Sequence, residues 1–459
     1  MFTNKLNLIN NLLINKRLFC RYLSFGELCI LAPRLEYILL GGDFMLEFIN
    51  SLLCGAVLPI ALCVVGIFFL IRLDFFFIRH PISTLRTVVR SSGGFRSLCV
   101  ALAGTLGVGN IVGVASAIIM GGAGAVLWLI VSAIVAMGIK YAEAYLAISH
   151  RRNGKGGYYG GAPYYIYDSC KDKRKGRIFG AIFAILCVAN SLTTGNLVQI
   201  NSVSDFLTQG RLFSGILFTV AVFFVIKGGK NRIEAVSAVI IPLLSIGYIL
   251  VSLYIIFSNY DALCVVFSRI LSQALSFKGA LGGVCGFGIG EGLRYGFSRG
   301  LLSNEAGCGT APVAHATSSL DAHSQGCLGI FEVFWDTVVL CTLTALVILI
   351  ADTGEDSPIL LAVSSYGKFT GRAGEIFICA CCVLFALATV ACQYYYGAMS
   401  LEFLCKSRVA RGVYLAIFLT VCVISSIISN STMWQIADFI IAFLALYNII
   451  FLVILSSET

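Results

Sequence analysis

Long apolar runs separated by short polar connections fill the chain, and the runs are of bilayer length. A membrane-crossing helix needs about 20 consecutive apolar residues. Residues 46–72, 96–119, 124–149, 178–208, 212–227, 235–258, 280–298, 326–350, 375–400, 412–430 and 434–456 meet that pattern, about eleven spans in all. Several are long enough to be tilted or broken. The pattern predicts an all-α, multi-pass integral membrane protein with no extended soluble domain left over.

Two of these spans are interrupted. Residues 102–118 read LAGTLGVGNIVGVASAI and place Gly104, Gly107, Gly109 and Gly113 in mid-span. Each costs a helix interior about 0.8–1 kcal/mol relative to alanine. A dinucleotide-binding fingerprint is excluded, since the spacing is GxGxxxG with no preceding strand. Close packing through small-xxx-small faces suits Gly109 and Gly113. Gly107 and Gly109, however, point about 200° apart on a helix, so one packing face cannot use both. A broken helix whose unwound backbone lines a site accommodates all of them. The segment GGVCGFGIGEG at 282–292 repeats the alternation through Gly286, Gly288, Gly290 and Gly292.

Paired interrupted spans, one in each half, predict a secondary transporter built of inverted repeats. With the first helix and its loop (45–95) set aside, residues 96–258 hold five spans and 280–456 hold five more. The expected fold is therefore a LeuT-type 5+5 inverted repeat with one extra N-terminal helix and two broken helices. At such a break, freed N–H groups face a carboxylate and freed carbonyls face a cation.

Composition agrees. The 459-residue chain is 58% hydrophobic and 12% charged, against about 25% charged in soluble domains. Cytoplasmic loops carry excess Lys and Arg. Placing Arg72, Arg79, Arg86 and Arg90 inside also puts inside Arg151, Arg152 and the 171–177 cluster, then Lys227, Lys230 and Arg232, then Lys406, Arg408 and Arg411. The C-terminus is then cytoplasmic and the membrane is the plasma (inner) membrane. The net charge of +9 is explained by this topology without a nucleic-acid partner. Residues 1–44 form a mixed-charge extension that fits neither a signal peptide nor this count; Met45 is the expected true start, with an extra amphipathic segment as the alternative. The eighteen cysteines lie scattered in apolar spans as small hydrophobes, and the four histidines fit no zinc spacing.

An enzyme is the competing class. Residues 296–300, GFSRG, match GxSxG, with His315 following. A nucleophile elbow requires a strand-to-helix turn topping an α/β sheet, so only an intramembrane hydrolase using Ser298 would remain. A passive channel is the third class, and it predicts flux without saturation or sodium dependence.

The motifs GTLGVGNIVGVASAI, KYAEAYLAISHR, GNLVQINS, RGLLSNEAGCGTAP, EVFWDTVVLCTLTAL and WQIAD occur in one order over residues 45–456. Together they resemble the alanine or glycine:cation symporter family (sodium:alanine symporters). The resemblance implies inward symport of a small neutral amino acid with sodium and no other cofactor. It assigns the substrate to Thr105, Gly107, Gly109, Asn110, Asn196, Gln199, Gly286, Gly288 and Gly290. Asn196 and Gln199, at i, i+3, are expected to share a helix face. Sodium is assigned to Thr389 with the carbonyls of Gly104 and Leu106; the chain has Ala388 where the family usually has a serine. Glu305, Glu332, Asp336 and Arg299 are expected to form a gate network near the cytoplasmic entry, the acids pairing with Arg294 or Arg299. Lys140 and Glu143 are expected to pair at the cytoplasmic end of their helix.

Overall fold

The computed structural model describes residues 49–50, 52–154, 157–204, 210–275, 291–428 and 430–459. The 1–44 extension lies outside the described residues. So do Gly286, Gly288 and Gly290, and with them the second expected break.

Among the described residues, eight helices are long and apolar enough to cross a membrane, and a bent pair makes a ninth span. The eight are α1 (Leu53–Arg72), α5 (Ala125–Ser149), α7 (Lys173–Ser204), α9 (Gly229–Ser258), α12 (Ala322–Ala351), α13 (Pro358–Leu404), α14 (Arg408–Ser425) and α15 (Trp434–Ile454). The bent pair is α3 (Phe95–Thr105) and α4 (Val112–Gly121), turned by 65° at the first glycine-rich break. The difference from the sequence count falls at two places. Helix α8 (Arg211–Lys227) has 17 residues, and α11 (Glu291–Asn304) begins where the described residues resume.

The connections hold more helix than the hydrophobic pattern predicts. Short α2 (Pro81–Arg90), α6 (Ala162–Asp168) and α10 (Leu263–Ala274) lie between the spans. Helix α13 starts well before the expected 375, because Gly371 (φ 62°) joins a leading helix to the span. Among the described residues the strands are β1 (Arg152–Gly154) and β2 (Gly157–Tyr159), an antiparallel pair with Arg152 opposite Tyr159.

Helix α5 is the centre of the body. Without water to drive association, membrane helices pack through small residues that let backbones approach. A β-carbon on Gly66 of α1 would lie 2.2 Å from Val135 of α5. One on Gly296 or Gly300 of α11 would lie 2.5 Å from the Ala125 carbonyl oxygen or 2.3 Å from Ser132 Oγ. The GxSxG glycines are thus a packing face inside a helix, with no sheet beneath Ser298 among the described residues.

Contacts between loops sort the chain into two faces. Ala123 N–H donates to Gln273 Oε1 at 2.7 Å, and Arg269 pairs with Asp352 at 3.0 Å, at one end of α5. At its other end His150 bonds Glu458 at 2.8 Å, and Arg151 donates to the carbonyls of Ser318 and Leu320. The basic 150–177 loop and the C-terminal residues therefore share one face.

Candidate functional site

The break between α3 and α4 exposes polar backbone inside an apolar body. Leu106 and Gly107 leave the helix, Gly107 with extended torsions (φ −123°, ψ −156°), and Val108–Asn110 form a single 3-10 turn. Side chains meet several of the groups freed there. Gly107 N–H donates to Asn110 Oδ1 at 3.2 Å, and Val108 N–H donates to Gln199 Oε1 of α7 at 2.9 Å. On the carbonyl side, Thr389 Oγ of α13 donates to Leu106 O at 3.1 Å, Gln393 Nε2 donates to Gly104 O at 3.4 Å, and Thr344 Oγ of α12 donates to Asn110 O at 2.9 Å.

The end of the Gln199 side chain approaches Gly107 closely and would have to shift for any larger residue. A β-carbon there would lie 2.5 Å from Gln199 Oε1. Gly113 behaves differently: it is buried, yet nothing lies within 4 Å of where its β-carbon would be. Close helix packing therefore does not explain Gly113, and the break opens beside unfilled space.

The expected substrate residues divide. Gly107, Gly109, Asn110 and Gln199 are buried, with Gln199 and Asn110 meeting at the break. Thr105 Oγ stays on its own helix, donating to Leu102 O at 3.2 Å. Asn196 does not share the face of Gln199. A π-turn over Thr193–Leu197 rotates it away, and its amide donates to Phe418 O of α14 at 2.9 Å. The larger residue count per turn of a π-bulge breaks the i, i+3 alignment. Gly286, Gly288 and Gly290 lie outside the described residues.

The ion residues meet. Thr389 Oγ faces Leu106 O while also donating to Phe385 O at 3.0 Å, the self-satisfaction common for threonine in membrane helices. Gly104 O lies two residues earlier and is taken by Gln393, one turn beyond Thr389.

The gate network is not one cluster at an entry. Asp336 belongs to the break: its carboxylate accepts from Asn110 Nδ2 at 2.7 Å, Ser303 Oγ at 2.8 Å and Thr337 Oγ at 2.7 Å. A π-helical stretch over Phe334–Cys341 separates it from Glu332, so the two carboxylates take different partners. Glu332 pairs with Lys140 Nζ at 3.3 Å and with His315 Nε2 at 2.9 Å. Glu305, which adopts a left-handed φ of 47° after α11, accepts from Thr310 Oγ at 2.6 Å and Gln393 Nε2 at 2.8 Å. Arg299 joins none of them; it faces Asp438 at 3.7 Å and stacks over Trp434. The acids therefore do not pair with Arg294 or Arg299, because those arginines sit on another face of α11.

Lys140 and Glu143 are corrected as well. They lie 3.8 Å apart but are fully buried, not a pair at a wet helix end. Glu143 Oε1 accepts from Gly309 N–H at 2.7 Å and Asn448 Nδ2 at 2.9 Å, and Asn448 accepts from Tyr165 OH at 2.6 Å. His315 continues to Gln325 at 2.6 Å and Gln325 to Ser97 Oγ at 3.2 Å, near the start of α3. Polar groups thus line the broken helix from its base to its break.

Sequence reasoning missed Gln393, Thr344, Gln325 and Asn448. One signal was available: Thr389, Gln393 and Tyr396 recur at i, i+4, i+7 in an apolar span, which marks one helix face. The charges are also unequal. Among the described residues, four carboxylates (Glu143, Glu305, Glu332, Asp336) and one lysine, Lys140, are buried, Lys140 pairing with Glu143 and Glu332 and His315 also facing Glu332. Burying uncompensated negative charge costs several kcal/mol per ion, so such a site favours an added cation.

The chain is 32% identical over 439 residues to the sodium/alanine symporter AgcS of Methanococcus maripaludis, covering 90% of this chain and 94% of that one. It is likewise 32% identical over 423 residues to the probable sodium/glutamine symporter GlnT of Bacillus subtilis, covering 89% and 87%. Among solved structures, a mutant manganese transporter of Eremococcus coleocola superposes with a TM-score of 0.50 at 14% identity, covering 78% of this chain and 76% of that one. That likeness bears on the fold alone. Residues 42–459 match the sodium:alanine symporter family throughout. By this family match and these relatives, the protein is a transporter, not an enzyme, and belongs to the sodium:alanine symporter family.

Proposed function

We propose that the protein carries alanine or glycine into the cell together with sodium, by alternating access on a LeuT-type 5+5 inverted repeat. The observation that carries this reading is the break at 106–110. Its N–H groups already donate to amide oxygens, the geometry a substrate carboxylate takes. On its other side a carbonyl and the Thr389 hydroxyl oxygen lie 3.1 Å apart, suited to a hard cation. The space beside Gly113 is open where a β-carbon would stand, room for at least a methyl group. Gly286, Gly288 and Gly290 are assigned to the facing break, where their carbonyls receive the substrate ammonium.

Sodium and substrate enter from outside, and sodium places positive charge near the carboxylate, coupling the two sites. The excess of buried carboxylates supports a cation as the driving partner. With the basic loops inside, a potential of 100 mV adds about 2.3 kcal/mol per charge moved inward. The C-terminal residues, on the face of the 150–177 loop, are then cytoplasmic.

Proteoliposome uptake tests the proposal. Labelled alanine and glycine are offered with sodium or potassium outside, and with glutamine as competitor. Saturable, sodium-dependent uptake of alanine or glycine supports it. Unsaturable flux indifferent to sodium would make the protein a channel, and uptake preferring glutamine would remove the assignment to alanine or glycine.

A further inference from the structure

On the face that carries the basic loops, a cavity of about 590 Å³ opens between the 152–178 segment and the end of α13. Five cations line it: Arg152, Lys173, Arg174, Arg177 and Lys406. We propose that this cavity binds the phosphate headgroup of an anionic lipid, whose acyl chain lies along Ile178, Ile182 and Ile185 of α7.

The charge is not cancelled within the protein. Asp168 takes up Arg152 at 2.7 Å and reaches Lys173 at 4.0 Å. Arg174, Arg177 and Lys406 have no ion-pair partner among the described residues. A second cavity on the same face, of about 460 Å³, shows the contrast. It is lined by Lys227, Lys230, Arg408 and Arg411, and there Glu402 pairs with Arg411 at 2.7 Å and Glu234 with Lys230 at 3.6 Å, leaving two cations without an ion pair among the described residues against three in the first cavity. Topology alone demands basic loops; it does not demand a walled cavity stripped of carboxylates.

The cations are also positioned. Arg177 lies 4.8 Å over the Phe403 ring and donates to Leu404 O at 3.2 Å, while Lys173 lies 5.0 Å over the Tyr167 ring. Ring faces hold cations by their quadrupole, so these groups face the cavity without being neutralised. Basic pockets between membrane helices at this depth suit phosphate headgroups.

A lipid is favoured over a soluble anion by what adjoins the cavity. Ile178 lines it, and Ile178, Ile182 and Ile185 follow at i, i+4, i+7 with 58%, 40% and 58% of their surface exposed. They form one apolar stripe leading away from the headgroup position along a membrane-spanning helix.

The test uses the full-length protein, purified and examined by native mass spectrometry with phosphatidylglycerol, cardiolipin or phosphatidylcholine. Inorganic phosphate and glycerol phosphate are the soluble arms. Phosphatidylglycerol and cardiolipin should be retained over phosphatidylcholine. Each cation removed should weaken retention roughly five-fold, so Arg174→Gln/Arg177→Gln/Lys406→Gln should lose it roughly 100-fold. Lys227→Gln/Arg408→Gln, at the second cavity, should keep it and controls for general charge loss. Should the triple variant not fold, Arg177→Gln and Lys406→Gln singly give the same comparison. Equal retention of phosphatidylcholine, or unchanged retention in the variants, would overturn the proposal. Inorganic phosphate competing as strongly as phosphatidylglycerol would reassign the cavity to a soluble anion and overturn the lipid assignment.

Discussion

Replacing Gln199 tests whether the α3–α4 break receives a carboxylate. Its Oε1 accepts Val108 N–H at 2.9 Å, and both groups are buried. In Gln199→Ala that donor loses its acceptor, which costs about 1–3 kcal/mol when buried. Where the substrate carboxylate takes over that donor, as proposed, the loss falls on the unloaded carrier, so KM for alanine falls by up to roughly 5- to 150-fold, at about 1.4 kcal/mol per factor of ten. Gln199→Glu separates a packing role from a substrate role. Glutamate keeps the shape and still accepts the bond, so a merely structural tie tolerates it. A carboxylate already there, however, repels the substrate's own. Two like charges about 4 Å apart at an effective dielectric of 20 cost about 4 kcal/mol, roughly a thousand-fold in affinity. The assay is sodium-driven alanine uptake in proteoliposomes, with size-exclusion profiles confirming that each variant folds. Gln199→Glu transporting alanine with an unchanged KM would refute the carboxylate assignment.

Four further outcomes are expected. Thr389→Ala should raise the sodium concentration for half-maximal uptake several-fold while Thr389→Ser holds it, and an unchanged value in the alanine variant removes Thr389 from the ion site. Gly109→Val should abolish uptake with membrane insertion intact, as judged by surface labelling; normal uptake would count against the pocket. Lys140→Met leaves Glu332 and Glu143 buried without their cation, at a cost of about 3–5 kcal/mol, so its melting temperature should fall and partly recover in Lys140→Met/Glu332→Gln. His150 gives a pH dependence: burial opposes its charged form, but Asp168 and Glu458 outweigh this and raise its pKa above the usual histidine value. Its stabilisation is therefore complete below about pH 6.5 and lost as pH rises through the raised value. Hydrogen exchange around residues 150–168 should quicken over that window in the wild type but not in His150→Gln.

Much of this was legible from one kind of signal. Hydrophobic length placed the spans, and glycines two apart, which cannot share a packing face, located the break that bends by 65°. Side-chain partners were less legible because two π-turns change the helical phase. The turn at Thr193–Leu197 sends Asn196 to α14, and the stretch at Phe334–Cys341 separates Asp336 from Glu332. Fixed i, i+3 and i, i+4 spacing presumes regular α-helix, and a local change of pitch leaves no mark in hydropathy. The buried Lys140 ion pairs were missed for another reason. A charged residue near the end of a span is expected to reach water, whereas here α11, α12 and the 305–315 loop close over it. The leading part of α13 and the connecting helices α2 and α10 were hidden because each is shorter than a span.

Two donors at the break, the N–H groups of Gly107 and Val108, are occupied by side chains, and under the proposed function this has a kinetic consequence. A carrier must complete its return journey unloaded, and bare N–H groups in an apolar interior would make that passage costly. Gln199 and Asn110 serve as placeholders that keep them occupied. Arriving substrate consequently swaps one acceptor for another, and its net gain is only the difference between them. A site of that kind would trade tenacity for rapid unloading.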